Sequence, residues 1–224
     1  MTQVNYAIVV AGGAGQRMGN AIPKQFLTLR GKPILLHTLE KLHAFDASLR
    51  LIVVLPAADL PRWHELVALH QCPIPHQITA GGATRFHSVS CGLALISDDA
   101  HLIAIHDGVR PLVSLQVMER AFALAAQQGS AVAAVKLKES IRRGDEQHSQ
   151  AVDRAAFRLV QTPQVFRAAW IKKAYATAVG TDFTDCASVA ESAGHPIYLS
   201  EGAYENIKIT TPEDLLLAEA LLQA

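Results

Sequence analysis

A glycine-rich segment with two nearby cations is the part of this sequence best suited to chemistry. It directly follows an apolar run and reads Ala11-Gly12-Gly13-Ala14-Gly15-Gln16-Arg17-Met18-Gly19. A glycine-rich turn at the end of a strand lets backbone N–H groups approach a phosphate without interference from Cβ atoms. An ordinary strand-to-helix turn has a similar composition, so the glycines alone leave phosphate binding and simple chain reversal both open.

Two basic residues favour the phosphate interpretation. Arg17 lies within the turn, and Lys24 follows Pro23, whose restricted backbone limits where the ammonium group can point. Positive charge here would stabilise a departing pyrophosphate, because negative charge accumulates on that group during nucleotide transfer. Most basic side chains are simply solvated, but two cations beside one glycine turn indicate a nucleotide-transfer site.

The spacing of the glycines excludes two common nucleotide-binding motifs. Gly13, Gly15 and Gly19 give G-x-G-x-x-x-G, which is one residue longer than the dinucleotide fingerprint, and the second apolar run ends at Pro56 rather than at an acidic residue. The turn is not a P-loop either, because no Gly-Lys-Ser/Thr sequence closes it.

Composition narrows the class of protein further. A chain of 224 residues with 50% hydrophobic content is long enough for one well-buried α/β domain. Its twenty basic and twenty acidic residues give zero formal charge, so we expect neither nucleic acid nor a membrane as a partner. The N-terminal segment lacks a basic region and a long apolar run, which predicts a cytoplasmic protein. Three widely spaced cysteines form neither a disulfide framework nor a zinc pattern.

Short apolar runs alternate with segments of helical periodicity, which predicts a mostly parallel sheet covered by helices on both faces. The predicted strands are Tyr6–Ala11, Leu51–Leu55, Leu102–His106 and Ala131–Val135. The predicted helices are Ile34–Ala44, Pro61–His70, Thr84–Leu95, Leu115–Gln128, Ala168–Ala178, Asp185–Ala193 and a last one that begins after Thr211 and includes Leu215–Leu222. We expect the alanines and leucines of the last helix to pack on the sheet.

Residues 139–161 interrupt this alternation. The segment is rich in charged residues and lacks a continuous apolar stripe, so it cannot bury much surface by itself. It is either a mobile surface loop or an arm that packs against a second subunit. The residues alone slightly favour the loop.

Several further motifs resemble those of a known family. The glycine turn together with Pro23-Lys24-Gln25 is similar to the signature of cytidylyltransferases that act on sugar-alcohol phosphates. The matches that follow in the family's order are Gly81-Gly82-Ala83-Thr84-Arg85 with Ser88, His106-Asp107-Gly108-Val109-Arg110-Pro111, Val152-Asp153-Arg154, Gln161-Thr162-Pro163-Gln164, Thr184-Asp185 with Ala187-Ser188, and Asn206-Ile207-Lys208-Ile209-Thr210. This combination spans nearly the whole chain and resembles the methylerythritol phosphate cytidylyltransferase family.

The resemblance implies a fold, an activity and an assembly. The fold is a Rossmann-like, mostly parallel α/β sheet flanked by helices, in one nucleotidyltransferase domain over residues 1–224. An extended β-arm at about 139–161 is used for dimerisation, so the resemblance favours the arm over the loop. The implied activity is the transfer of CMP from CTP to 2-C-methyl-D-erythritol 4-phosphate, with Mg²⁺ as cofactor and a homodimer as the assembly.

The resemblance also implies roles for individual residues. Arg17 and Lys24 stabilise the transition state, Lys208 contacts the phosphate under attack, and Arg154 reaches the neighbouring subunit's site. The residues expected to hold CTP are Ala11, Gly12, Gly13, Ala14, Gly15, Gly82, Ala83 and Ser88. Those expected to contact the substrates or orient the acceptor are Asp107, Arg110, Ser140, Arg154 and Thr162. The metal ligands stay unassigned.

Departures from the family pattern are few. Cys186 stands where the family usually has Glu, which puts any contact through that carboxylate in doubt, and Ser140 replaces a Thr but keeps the hydroxyl. Two other functions fit the same motifs. One is a ribitol 5-phosphate cytidylyltransferase, which would differ only in its acceptor pocket, and the other is a non-catalytic nucleotide-binding regulator.

Overall fold

A computed structural model describes residues 4–13 and 22–222 of the chain. Ala14, Gly15 and Arg17 therefore lie outside the described residues. The sheet flanked by helices that the sequence predicts is present in the rest of the chain.

The described strands are β1 (Val4–Val10), β2 (Thr28–Leu29), β3 (Lys32–Pro33), β4 (Arg50–Leu55), β5 (His76–Ala80), β6 (Ala100–Asp107), β7 (Ser130–Lys136), β8 (Arg142–Gly144), β9 (Ser149–Ala151), β10 (Arg158–Arg167) and β11 (Leu199–Glu201). The described helices are α1 (Ile34–Phe45), α2 (Leu60–Leu69), α3 (Arg85–Leu93), α4 (Leu115–Gln128), α5 (Ala168–Thr177), α6 (Cys186–Ser192) and α7 (Pro212–Leu221). Each predicted strand and helix is confirmed within a few residues of its predicted ends.

The central sheet has the strand order β11-β7-β10-β6-β1-β4-β5. The pairs β1–β4, β1–β6, β4–β5 and β11–β7 are parallel, whereas β10 runs antiparallel to both β6 and β7. The sheet is therefore mostly parallel, as predicted, and the carboxyl ends of β1, β4, β5 and β6 meet at one edge.

Side chains of the central strands alternate between two apolar layers, because successive residues of a strand point to opposite faces. Ala7 and Val9 face the layer formed with α1, α2 and α4. Tyr6 and Ile8 face the layer formed with α3, α5 and α6. Burial on both faces explains why β1, β4, β6 and β7 are nearly continuous apolar runs in the sequence.

The last helix departs from the prediction that it packs on the central sheet. The Thr211 side chain caps α7 in a capping box with Asp214, as the sequence suggests. Ala218 of α7, however, joins a smaller cluster with Leu29, Ile34, Val109 and Ile209. Leu216 and Leu217 are 68% and 49% exposed. The helix therefore packs beside the sheet rather than on it.

The charge-rich excursion contains a small hairpin. Strands β8 and β9 pair antiparallel through Arg142↔Ala151, and every residue of both strands is exposed. Residues 158–161, which the sequence places in the excursion, begin β10 instead, and residues 158–160 pair with β7. The hairpin is thus open to solvent on both of its strands in the single chain.

In the part of the chain that the structure covers, no helix is both long and apolar enough to cross a membrane.

Gly129 gives a test of the packing between α4 and α5. Its φ is 96°, and an added Cβ would lie 2.3 Å from the Trp170 ring. Gly129→Ala should lower the free energy of unfolding by about 2–4 kcal/mol, from left-handed strain plus overpacking. The matched control is Gly180→Ala, where φ is 85° but nothing lies within 4 Å of an added Cβ. This variant should lower the free energy of unfolding by only about 1 kcal/mol. Urea unfolding measures both, and equal losses would contradict the packing argument.

Candidate active site

A cleft opens at the carboxyl edge of the sheet, where parallel-sheet proteins bind their ligands. Three segments that follow strands contribute most of its wall: residues 10–13 after β1, residues 82–85 after β5, and Asp107 at the end of β6. The described residues that line it are Val10, Ala11, Gly12, Gly13, Lys24, Gln25, Gly82, Ala83, Thr84, Arg85, Ser88, Asp107, Val109 and Lys208. The cleft therefore gathers many of the residues that the motifs single out.

Lys24 points at the glycine turn. A Cβ added at Gly13 would lie 3.0 Å from Lys24 Cε and 3.3 Å from Lys24 Nζ, so a larger residue at this position would push the lysine away by a few tenths of an ångström. The short turn that carries Lys24 is anchored on both sides. Gln25 Nε2 donates to Asp59 Oδ2 at 3.0 Å, and the Phe26 ring stacks on Trp63 with centroids 6.1 Å apart.

The second glycine turn is held by Ser88. The Ser88 hydroxyl donates to the Thr84 carbonyl at 3.0 Å and accepts from the Gly82 backbone N–H at 3.3 Å. A Cβ at Gly82 would collide with His87 Cβ at 2.4 Å, which is why this position requires glycine. Gly82, Ala83 and Ser88, all predicted to hold CTP, thus lie together opposite Lys24 in one cleft.

Asp107 is the electrostatic centre of the cleft. Its Oδ2 lies 3.1 Å from Arg110 Nε and 3.2 Å from Lys208 Nζ, and its Oδ1 lies 4.0 Å from Arg85 Nη2. Burial alone would raise the pKa of this carboxyl, but the charges of Lys208, Arg110 and Arg85 lower it well below its usual range. Asp107 is therefore ionised, and it holds three cations at the floor of the cleft.

A buried polar network attaches this centre to β10. The Asp107 backbone N–H donates to Thr162 Oγ1 at 3.0 Å. Asn206 Nδ2 donates to the Thr162 carbonyl at 2.8 Å, and Arg110 Nη1 donates to the Asn206 carbonyl at 2.7 Å. Thr162 and Arg110 are both predicted substrate residues. Thr162 is bonded to the backbone of Asp107, and Arg110 is bonded to the same Asp107 side chain that pairs with Lys208.

His106 is a buried histidine that carries no charge at neutral pH. It is fully buried behind Asp107, and its Nε2 lies 3.3 Å from the Arg110 carbonyl. Burial lowers the pKa of His106 to about 4, so the ring is neutral.

The hairpin residues lie apart from this cleft in the single chain. Ser140 and Arg154 are exposed, and neither is among the described residues that line the cleft. The Arg154 guanidinium donates to the Lys138 carbonyl within the same excursion. These two of the predicted acceptor-binding residues are therefore not brought to the cleft by the fold of the single chain.

Arg85 is the cation that motif reasoning failed to assign. It is the first residue of α3 after the capping residue Thr84, and its side chain is 25% exposed. The signal was available, because a basic residue close to a glycine turn is the same feature that singled out Arg17 and Lys24. The sequence motifs likewise predict no role for Gln25, although this residue lines the cleft and anchors the turn that carries Lys24.

Glycine turns, cations and one ion-paired carboxylate at the carboxyl edge of a mostly parallel sheet define the chain as an α/β protein of the nucleotidyltransferase class. Comparison with known families specifies the class further. A family model described as 2-C-methyl-D-erythritol 4-phosphate cytidylyltransferase matches residues 5–224. The chain belongs to this family.

Individual relatives agree with the family match. A 2-C-methyl-D-erythritol 4-phosphate cytidylyltransferase of Bacteroides thetaiotaomicron is 47% identical over 215 residues, which cover 96% of this chain and 98% of that protein. One from Porphyromonas gingivalis is 44% identical over 224 residues, covering 99% of each. The crystal structure of the Thermus thermophilus enzyme superposes with a TM-score of 0.82 at 32% identity and covers both chains completely.

The ion cluster at Asp107 makes a prediction about acid stability. Asp107→Asn should lower the free energy of unfolding at pH 7 by about 3–5 kcal/mol, because it leaves three cations without their buried counter-charge. The pKa of Asp107 in the folded protein lies below its value of about 3.9 in the unfolded chain. The stabilisation is therefore fully present above the unfolded-state pKa and is lost as the pH falls toward the folded-state pKa. The difference between wild type and variant should therefore shrink below about pH 4.

Urea unfolding at a series of pH values measures this difference. Glu65→Gln is the matched control, because Glu65 makes an ion pair with Arg62 at 3.0 Å with both side chains more than half exposed. It should change stability by less than about 1 kcal/mol at any pH. A loss at Asp107 that is the same at pH 7 and pH 3 would contradict the assignment.

Proposed function

We propose that this chain transfers CMP from CTP to 2-C-methyl-D-erythritol 4-phosphate and releases pyrophosphate. The observation that carries the proposal is the cleft, in which Lys24 Nζ lies against Gly13 and Lys208 Nζ lies 3.2 Å from Asp107. Glycine turns with nearby cations suit a nucleoside triphosphate, and family membership over residues 5–224 supplies the choice of CTP and of the acceptor.

In the proposed reaction, a phosphate oxygen of the acceptor attacks the α-phosphorus of CTP in line with the leaving group. One P–O bond forms, the bond to the β-phosphate oxygen breaks, and pyrophosphate leaves with the electron pair. No covalent enzyme intermediate or general base is needed, because the attacking oxygen is already ionised at neutral pH. Catalysis then consists of positioning two anions and neutralising their charge.

The cations divide this work by their places in the cleft. Lys24 next to Gly13, together with Arg17 of the same turn, would stabilise the charge that develops on the pyrophosphate. Lys208 follows Asp107 in the sequence, whereas both glycine turns precede it. Its ammonium group, paired with Asp107, would meet the acceptor phosphate. Asp107 and Arg110 keep Lys208 in place through the ion cluster already described.

Mg²⁺ fits this cleft only as part of the nucleotide complex. Among residues 4–13 and 22–222, no group of three or more His, Cys, Asp or Glu side chains is placed to hold a metal. Asp107 is the one carboxylate among the described lining residues, and it already faces three cations. We therefore propose that phosphate oxygens and water are the main ligands of Mg²⁺, which when bound neutralises triphosphate charge.

We propose that the acceptor site is completed by a second copy of the chain. Ser140 and Arg154 lie on the exposed excursion around β8 and β9, where they could enter a neighbour's cleft beside its Thr162. Phe157 directly precedes β10, Leu159 and Val160 lie at its start, and the three are 46%, 54% and 46% exposed. Apolar side chains this exposed beside a weakly packed hairpin favour burial in a homodimer.

The remaining parts of the proposal concern organisation and location. Residues 1–224 form one nucleotidyltransferase domain with a protruding arm at about 139–161. The protein is cytoplasmic, and its partners are the two small-molecule substrates and its own copy, without nucleic acid or a membrane. Zero formal charge supports the last point, because no overall positive field would attract a polyanion.

A pyrophosphate-release assay tests the proposed function. The purified protein is supplied with Mg²⁺, methylerythritol phosphate and each of the four nucleoside triphosphates in turn, and CTP should give the highest rate. Parallel reactions with ribitol 5-phosphate separate the acceptor specificities. Absence of pyrophosphate release with any triphosphate would leave the non-catalytic regulator as the better function.

Lys24 and Arg17 should matter for turnover more than for folding. Lys24→Ala and Arg17→Ala should each lower kcat by about 10²–10³-fold, because each removes a charge that acts on the leaving pyrophosphate. Lys32→Ala is the matched control, since Lys32 is a nearby lysine that forms an ion pair with Glu40 and is not among the lining residues. Steady-state kinetics and thermal unfolding measure both effects, and near wild-type turnover in both cleft variants would rule the roles out.

Arg154 tests the arm. Arg154→Glu should raise KM for methylerythritol phosphate by about tenfold or more, because it replaces an attractive charge on the acceptor phosphate with a repulsive one. KM for CTP should change little. Arg143→Glu reverses a charge on the same excursion and should leave both constants near wild type. An unchanged acceptor KM in Arg154→Glu would remove this residue from the site.

A further inference from the structure

Arg85 is held at the cleft by an unusual partner. Its Nη1 donates to the sulfur of Cys186 at 3.0 Å, across 101 residues of sequence. Its Nη2 lies 4.0 Å from Asp107 Oδ1, on the side of that carboxylate away from the oxygen that Arg110 and Lys208 share. The guanidinium therefore bridges the thiol and the ion cluster.

The position of Cys186 is determined by several contacts. It is the first residue of α6 and is completely buried. Its backbone N–H donates to Gln164 Oε1 at 3.0 Å, and its sulfur accepts a second hydrogen bond from Tyr175 Oη at 3.2 Å. The Tyr175 ring stacks on the ring of Phe86, the residue that follows Arg85 in α3, with centroids 4.7 Å apart. The sulfur thus lies at a defined point between α3, α5 and α6.

The partner of Arg85 adds no negative charge. Burial raises the pKa of the Cys186 thiol, an effect that Arg85 and Tyr175 only partly oppose, so the thiol is neutral at neutral pH. The nearest carboxylate, Asp107, is shared with Arg110 and Lys208. Arg85 also begins α3, and a positive charge at a helix N-terminus is unfavourable. The guanidinium consequently carries charge that an incoming anion can use.

We infer that Cys186 is a positioning residue for the nucleotide site: its sulfur holds the Arg85 guanidinium beside Asp107 without neutralising it, so that a full positive charge is kept for the triphosphate of CTP. This inference rests on the proposed function, because it assigns the anion to CTP. It adds Arg85 and Cys186 to the residues that set CTP affinity. A carboxylate in place of the thiol would hold the same guanidinium but cancel its charge.

Three substitutions at one position separate hydrogen bonding from charge. Cys186→Ala removes the acceptor and should raise KM for CTP by about five- to tenfold with kcat within about twofold, because the guanidinium loses its orienting partner. Cys186→Ser keeps an acceptor and should remain within about twofold of wild type. Cys91→Ala, which removes another cysteine from α3 itself, is the matched control and should be silent.

The charge is tested by ionic strength. In Cys186→Glu, the new carboxylate should pair with Arg85, raise KM for CTP at low salt, and flatten the dependence of KM for CTP on salt concentration. Cys186→Ser should keep the wild-type salt dependence. Thermal unfolding is measured for all variants, so that a variant that fails to fold is recognised and the conclusion is drawn from the others.

Two results overturn the inference. One is a KM for CTP within twofold of wild type in folded Cys186→Ala, which would give Cys186 a packing role only. The other is a salt dependence in folded Cys186→Glu that equals that of wild type. Failure of the proposed function looks different, because the wild-type protein itself would then release no pyrophosphate from CTP.

Discussion

The buried carboxylate of Asp107 is the group on which the geometry of the cleft depends. A carboxylate that is 7% exposed requires counter-charges in place, since a buried unpaired charge is strongly destabilising. Its three cations come from the start of α3, from the loop after β6 and from the segment before α7. Satisfying one carboxylate therefore holds together three parts of the chain that have no local reason to meet. The counter-charges that make burial of Asp107 possible are therefore the same side chains that form the site.

The surrounding fold supplies rigid attachment points for this cluster. The parallel register of β1 and β6 places Asp107 opposite Val10, and the Gly108 N–H donates to the Val10 carbonyl at 2.9 Å. Lys208 is held between Ile207 and Ile209, and the Ile209 N–H donates to the Val109 carbonyl at 2.9 Å. Ile209 itself is fully buried in the small cluster that also receives α7. A helix that packs beside the sheet thereby steadies a lysine of the site.

Sequence patterns predicted the helices and the strands that are covered on both faces, and missed the strands whose residues are partly or wholly exposed. Strands β1, β4, β6 and β7 are covered on both faces and appear as apolar runs. Strand β5 is a sheet edge of half-buried residues, and β11 is an edge of three residues. Strand β10 was missed for another reason: Gln161, Thr162 and Gln164 are buried, but they serve the polar network that holds Asp107 and α6. A local pattern cannot distinguish polar residues buried in a network from polar residues in solvent.

At the site, contacts within a short stretch of chain were predictable and contacts between distant segments were not. The approach of Lys24 to Gly13 was predictable, because both belong to one short stretch of chain. The convergence of Arg110 and Lys208 on Asp107 was implied only by the family resemblance, and the place of Arg85 beside them was not predicted, because both depend on the order of strands in the sheet.

Positive charge in the cleft exceeds what the cluster needs for its own stability. Asp107 offers one negative charge to three cations, and the neutral sulfur of Cys186 holds Arg85 without compensating it. Like charges held this close repel one another, so the free protein carries an unfavourable interaction that a smaller number of cations would avoid. A bound triphosphate relieves that repulsion, and the relief is larger because the side chains are already in place and need not be gathered when the ligand arrives. Cations that are poorly matched within the protein itself are therefore the ones that an anionic ligand makes favourable, which is the pattern expected where stability has been given up for function.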